Sequence, residues 1–386
     1  MRSRLTLVIS VALALSLVLG VGVWLWLKPK PIPHLALRAT TYDDVEGWPG
    51  KFTAPALGAF QRSCALILEM DDAAAMGGYG GRAKDWKPVC DVALKTQPAD
   101  ARHFFESQFK PFEIFEDGSR EGLFTGYFEP LLRGSRTRHG AYQTPVYGVP
   151  ADLVSVDLWL FDPKWKGERV SGRAVDGKLA LYPTRAEIDA HPPADTKVLF
   201  FGDDAVDVFF LHIQGSGRVK LDDGSTIRIA YAAQNGRPYT PIGRTLIHMG
   251  ALQRGSVSMQ TIRAWLKNNP AKAGGVLESD QSFVFFKEQP LDDPMLGATG
   301  SEGVALTPMG SIAVDTRLHP LGAPFFVSAG RGVFIAQDVG GAIRGAVRAD
   351  IYFGFGPDVE KAAGEMKATG TLTVLLPATL YSHSAP

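Results

Sequence analysis

Apolar residues occur in three regimes along the chain. From Leu5 to Leu27 nothing is charged, and a run of that length, at about 1.5 Å per helical residue, would cross a hydrocarbon layer about 30 Å thick. It predicts a membrane segment. Arg2 and Arg4 precede it, so the basic head and apolar run read as a signal-anchor or a signal peptide, with everything functional beyond it. The run exceeds a usual signal core and no small-x-small cleavage site follows, which favours an uncleaved anchor. Lys28-Pro29-Lys30-Pro31-Ile32-Pro33 then forms a short stiff linker.

The second regime, from about Tyr42 to Gln108, is mainly helical. Leu57, Phe60, Cys64 and Leu68 recur at turn spacing behind Pro55, a residue suited to a first helical turn. Beyond Gly122 the period shortens. Leu123-Phe124, Val208 to Leu211 and Ile227 to Tyr231 are brief apolar runs cut by Gly, Pro and Asp, the signature of strands. One helix interrupts them, Ser258 to Lys267, capped by Ser256 or Ser258 and presenting Ile262, Trp265 and Leu266 on one face. Strands resume from Phe283 to the C-terminus. No solenoid-length repeat is visible.

Composition narrows the function. Lys plus Arg and Asp plus Glu both number 40, so no net field favours nucleic acid. With 22 Phe, 7 Trp and 45% hydrophobic residues the chain can bury one large core or two medium ones, and 42 Gly with 26 Pro fit a β-rich body. Cys64 and Cys90 are the two cysteines; in an exported chain they make one disulfide or two buried thiols. Neither has ligands at zinc spacing, and the eight His lack a His-Glu-x-x-His pair. His212, among Phe209, Phe210 and Ile213, reads as a core or groove residue.

Three aspartates near the C-terminus border apolar runs: Asp315 after Ser311 to Val314, Asp338 after Val333 to Gln337, and Asp350 before Ile351 to Phe353. If they converge they cannot all ionise, and at least one holds its proton near neutral pH, as a general acid for a glycosidic oxygen must. Strand ends and turns also recruit Asp for local reasons. Gly340 and Gly341 follow Asp338, a pair that suits a tight turn or the floor of a saccharide groove. Gln214-Gly215-Ser216-Gly217-Arg218, expected between two strands, departs from a nucleophile elbow. It serves either as a plain hairpin turn or as a donor of sugar hydrogen bonds. Thr125-Gly126-Tyr127-Phe128-Glu129 adds a hydroxyl, aromatic rings and a carboxylate, with Glu129 either a second acid or a surface salt bridge.

Taken in order, these segments resemble the membrane-bound lytic murein transglycosylase A family. The likeness runs from Phe124-Thr125-Gly126-Tyr127-Phe128 through Gln214 to Arg218, Tyr231-Ala232, Asn235-Gly236, Ile242-Gly243, Ser258 to Arg263 and Ser282 to Phe286. It ends in a three-aspartate module of Asp315, Asp338 to Ile343, and Asp350-Ile351-Tyr352. Two departures stand out: no Cys follows the apolar run to accept a lipid, and Asp280-Gln281 stands where family members commonly have Asn-Pro.

The resemblance implies a mainly β protein with some α. Its double-psi β-barrel would comprise residues 34–130 and 286–386, a smaller inserted β-domain residues 131–285, and the anchor and linker residues 1–33, with the glycan in the groove between the domains. Asp350 matches the catalytic acid, Asp315 and Asp338 its support, and Thr125, Tyr127, Gln214, Ser216, Gly217, Gly340 and Gly341 border the groove. The implied activity is that of a peptidoglycan lytic exotransglycosylase. It uses no cofactor or metal and leaves 1,6-anhydromuramoyl ends at the bond from N-acetylmuramic acid to N-acetylglucosamine. Implied partners are murein strands, the inner membrane on its periplasmic face, and wall synthesis or division complexes. Two alternatives compete: a peptidoglycan-binding protein without catalysis, and a hydrolase leaving reducing ends.

Overall fold

The computed structural model describes residues 34–162, 165 and 168–382. The Leu5–Leu27 run and the linker lie outside them; among the described residues no helix is long and apolar enough to cross a membrane. The chain opens with β1 (Leu35–Ala39), helices α1 (Thr53–Glu69), α2 (Ala83–Ala93) and α3 (Ala101–Gln108), then β2 (Phe109–Glu116) and β3 (Gly122–Glu129). Next come β4 (Leu131–Ser135), β5 (Thr144–Tyr147), β6 (Leu153–Asp157), β7 (Arg169–Val175), β8 (Lys178–Leu181), α4 (Arg185–Ala190) and β9 (Val198–Gly202). After α5 (Ala205–Gln214) follow β10 (Ser216–Leu221), β11 (Thr226–Gln234), α6 (Ile242–His248), α7 (Met259–Asn268), α8 (Pro270–Glu278) and β12 (Val284–Gln289). The chain continues with β13 (Ser311–Ala313), β14 (Pro324–Val327), β15 (Gly332–Asp338), β16 (Arg348–Phe355), α9 (Pro357–Glu365), β17 (Lys367–Gly370) and β18 (Leu372–Pro377).

A nine-stranded sheet runs in the order β1-β2-β18-β14-β15-β13-β16-β3-β17, so strands distant in sequence are neighbours at its centre. The ladder is open, which corrects the expectation of a closed double-psi barrel. Its end strands β1 and β17 alternate exposed and partly buried residues, Arg38 and Lys367 among the exposed ones. Closing the ladder there would strip water from charged side chains, an expensive step without partners.

Beneath this sheet α1 buries Leu57, Phe60 and Cys64 of the stripe that the spacing predicts, with Ala56 and Ile67 beside them, while Leu68 is half-buried. Phe60 packs against Trp86, Phe104 and Phe109 at centroid distances of 6.4, 5.9 and 5.6 Å. Cys64 and Cys90 form a disulfide from α1 to α2. Gln337 reaches down from β15, its amide donating to the Ala59 carbonyl and Ser63 Oγ at 2.9 Å each. Because strand residues alternate faces, anchoring Gln337 inward turns Asp338 the other way.

Between β3 and β13 the chain builds a six-stranded sheet, β12-β11-β10-β4-β9-β5, and a three-stranded one, β6-β7-β8. Helix α7 forms as expected, with Ser258 Oγ accepting the Thr261 amide in a capping box. The apolar run at Val208–Leu211, expected as a strand, lies instead within α5. Asp204 caps that helix by accepting the Val206 and Asp207 amides, and its residues Val208 to His212 are all buried, so burial on every side erased the helical period. For the same reason Gln214-Gly215-Ser216-Gly217 is not a link between two strands: Gly215, at φ +79°, ends α5, and β10 starts at once.

Candidate active site

One rung of the large sheet gathers the candidate chemistry. Asp338 on β15 stands opposite Ala313 on β13, Ala313 opposite Asp350 on β16, Asp350 opposite Thr125 on β3, and Thr125 opposite Lys367 on β17. Neighbouring strands lie about 4.8 Å apart, so the two aspartates stem from backbones about 10 Å apart with an alanine between them. Ala313 leaves room for both side chains above it. Thr125 Oγ1 donates to Asp350 Oδ1 at 2.6 Å and accepts from Arg348 Nη2 at 2.8 Å. Tyr127, two residues along the same face, donates its hydroxyl to Asp338 Oδ2 at 3.0 Å. Ser301 closes the other side, giving both its amide (3.1 Å) and its hydroxyl (3.0 Å) to Asp338 Oδ1.

These contacts set the charges. Burial pushes the Asp350 carboxyl up to about 6 and the Asp338 charge adds to the rise, while the Thr125 bond and Arg348 oppose it. Asp338 is also raised, by burial, against the pull of the Val339 amide, Ser301 and Tyr127. Burial and the neighbouring Asp338 push the Tyr127 hydroxyl up as well, so it stays a donor. The result is an acid that still carries part of its protons near neutral pH beside a carboxylate whose two oxygens are already bonded.

Asp315 does not join this pair. Fully buried, it accepts from Arg317 Nε (2.9 Å) and Nη2 (2.7 Å) and from the Gly345 amide (3.0 Å), with Arg344 at 3.6 Å. Burial alone would raise its pKa, but those partners hold it below the usual carboxylate range. It therefore fastens the far end of the loop that follows Asp338. In that loop Gly341 is exposed with open space about it, whereas a Cβ on Gly340 would meet Ile343 at 2.6 Å.

Gln214 Oε1 accepts the Phe128 amide at 3.0 Å, tying α5 to β3. Ser216 and Gly217 are buried in β10, and a Cβ on Gly217 would lie 2.7 Å from Leu211 and 3.1 Å from the Pro130 carbonyl, so this glycine serves close packing. Glu129 is neither at the surface nor free. It is fully buried between Arg218 (3.2 Å) and Arg228 (3.4 Å) and accepts the Ala298 amide at 2.7 Å. His212 is buried too, its Nδ1 accepting the Val284 amide at 3.1 Å. Sequence reasoning missed Arg348 and Ser301. Arg348 could have been found, since it precedes Asp350 by two residues and shares its face of the strand; Ser301 sits in a loop with no periodic signal. A cavity of about 530 Å³ lies among α5, α6, α7 and Lys367 of β17, and one of about 460 Å³ adjoins β5 and β9 of the six-stranded sheet; neither is lined by Asp338 or Asp350.

A mainly β chain that threads a second sheet between β3 and β13 of the first, and sets an acidic pair on one rung, defines the class. Two family models fall on those parts: the MltA specific insert domain on residues 123–287 and the 3D domain on residues 310–376. The chain belongs to the MltA family. Membrane-bound lytic murein transglycosylase A of Escherichia coli K12 is 34% identical over 267 residues, a match spanning 65% of each chain, just under two thirds of that relative's length. Among solved structures, the membrane-bound lytic murein transglycosylase from Agrobacterium tumefaciens superposes with TM-score 0.78 at 29% identity, covering 91% of this chain and all of that one. MltA from Neisseria gonorrhoeae gives TM-score 0.72 at 31% identity over 91% and 97% of the two chains.

Proposed function

We propose that this chain is a peptidoglycan lytic transglycosylase whose single acid and base is Asp350. The observation that carries the reading is the Asp350 carboxyl, pushed up to about 6 and oriented by the 2.6 Å Thr125 bond. Since Thr125 donates to Oδ1, the transferable proton belongs on Oδ2. That proton passes to the oxygen linking N-acetylmuramic acid to N-acetylglucosamine as the bond from C1 breaks through an oxocarbenium-like state. Asp350, now a carboxylate, takes the proton of the muramoyl C6 hydroxyl, whose oxygen bonds to C1. The product is a 1,6-anhydro sugar and no water is consumed. A hydrolase needs a second carboxylate to hold water or to attack. Asp338 suits neither task, with Tyr127 and Ser301 already on its oxygens. The tethered hydroxyl supplies the high effective concentration instead.

On this reading the nine-stranded sheet, built from β1 to β3 and β13 to β18, and the inserted module running from β4 to β12 are the two walls of the glycan groove. Thr125, Tyr127, Gly340 and Gly341 face the strand. The N-terminal run holds the enzyme at the periplasmic face of the inner membrane. The names of the relatives support the substrate, and the acidic pair supports the chemistry. The deciding experiment is mass spectrometry of muropeptides released from sacculi. Anhydro ends are expected from the wild type, and Asp350→Asn should cut their rate by about 10²–10⁴ while still binding murein. Reducing ends alone would replace the reading with a hydrolase, and undiminished binding with no turnover by the wild type would replace it with a binding module.

A further inference from the structure

The rung does not stop at Thr125. Lys367 stands opposite it on β17, on the same face, two strands or about 10 Å from Asp350. Lys367 also lines the cavity of about 530 Å³, whose lining includes neither Asp338 nor Asp350. Three more cationic or titratable side chains, Arg244, His248 and Arg254, line that cavity, and all four residues are exposed. Its floor is apolar, built from Phe210, Ile213, Ile242 and Ile262. On neighbouring helices Asp207 and Glu360 both pair with Arg263, at 2.6 and 3.1 Å, while Glu365 is exposed two residues before Lys367. Asp280, which acts on Tyr239 at the cavity wall, is fully buried and accepts the Thr240 amide at 2.8 Å. The cavity thus joins a predominantly cationic rim to an oily floor.

We propose that this cavity binds the acidic peptide stem carried by N-acetylmuramic acid, an inference that rests on the glycan-cleaving reading above. The stem leaves the same sugar whose C1 is attacked at Asp350. An extended peptide advances about 3.3 Å per residue, so two or three stem residues cover the distance from Asp350 to Lys367. Alanyl methyls fit the floor and free carboxylates the rim. Arg244 and Arg254 offer planar forks matched to carboxylates.

The test compares murein strands bearing their stems with the same strands stripped of stems by an amidase, using the full chain. Wild type is expected to favour stem-bearing strands in kcat/KM, with a preference that shrinks as salt rises from about 0.05 to 0.3 M. Replacing both arginines, Arg244→Gln with Arg254→Gln, or Lys367→Gln alone, should lower the ratio of the two kcat/KM values about tenfold, mainly through KM. All three positions are exposed, so folding is not at stake. Anhydro ends from both substrates with no preference in the wild type, or with variant ratios within about twofold of it, overturn the stem site and leave the transglycosylase standing. Absence of anhydro ends from both substrates overturns both readings.

Discussion

A carboxyl that titrates at about 6 when folded and near 3.9 when unfolded holds its proton more tightly in the native state. Between those values the native chain binds more protons than the unfolded one, so stability falls as pH rises through the window, by about 3 kcal/mol in all. Asp350→Asn should therefore raise Tm at pH 7.5, and differential scanning calorimetry should find the gain gone near pH 4. A residue that costs stability where it works is what a tuned acid looks like. On the proposed mechanism the same titration governs rate. The reactive form would be the acid, so kcat/KM is expected to decline above about pH 6. Asp338→Asn removes a charge that raises Asp350 and should move that decline to lower pH. Thr125→Val removes a bond favouring the charged form and should move it higher. Glu302, pushed up to about 7 by burial, titrates in the same range, so the opposite shifts, more than the midpoint, assign the group. A limb that stays put in both variants removes Asp350 from the role.

Among elements, the joint from α5 to β10 bears most on the site, because Gln214 at the helix end holds the Phe128 amide next to Tyr127. Gly215 makes the turn at φ +79°, and Gly217 lets β10 lie against the Pro130 carbonyl and Leu211. Gly217→Ala should cost about 1–3 kcal/mol by urea denaturation, since backbone and a packed side chain must both give way; an unchanged midpoint would show that the packing is looser than the contacts imply. The local sequence around this joint fits more than one element. Strands cut by Gly and Asp, and the Ser258 cap, announce themselves locally. A helix with Val208 to His212 all buried shows no polar face, so its pattern matched a buried strand equally well. The Asp204 cap was the available clue.

At the scale of the molecule the two sheets are joined by a buried cluster. Glu129 ends β3 of the large sheet, and Arg218 and Arg228 come from β10 and β11 of the other. Arg218 also lies over the Phe355 ring at 3.3 Å. Glu129→Ala leaves two guanidiniums buried without their counter-charge and should cost about 3–5 kcal/mol. Thermal unfolding checks it, and a loss below about 1 kcal/mol would mean that the cluster is not a fastening point. The sequence by itself determined the local matters: most of the strand-forming runs, the α1 stripe and the α7 cap. Those depend on residues a few positions apart. Tertiary structure alone decided that Thr125, Ala313, Asp338, Asp350 and Lys367 share a rung, that Asp315 is spent on Arg317, and that Glu129 is buried. Strand order and register set them, and they join residues whose separation along the chain carries no trace of the pairing, while burial, which moves the carboxyl to about 6, exists only once those strands have met.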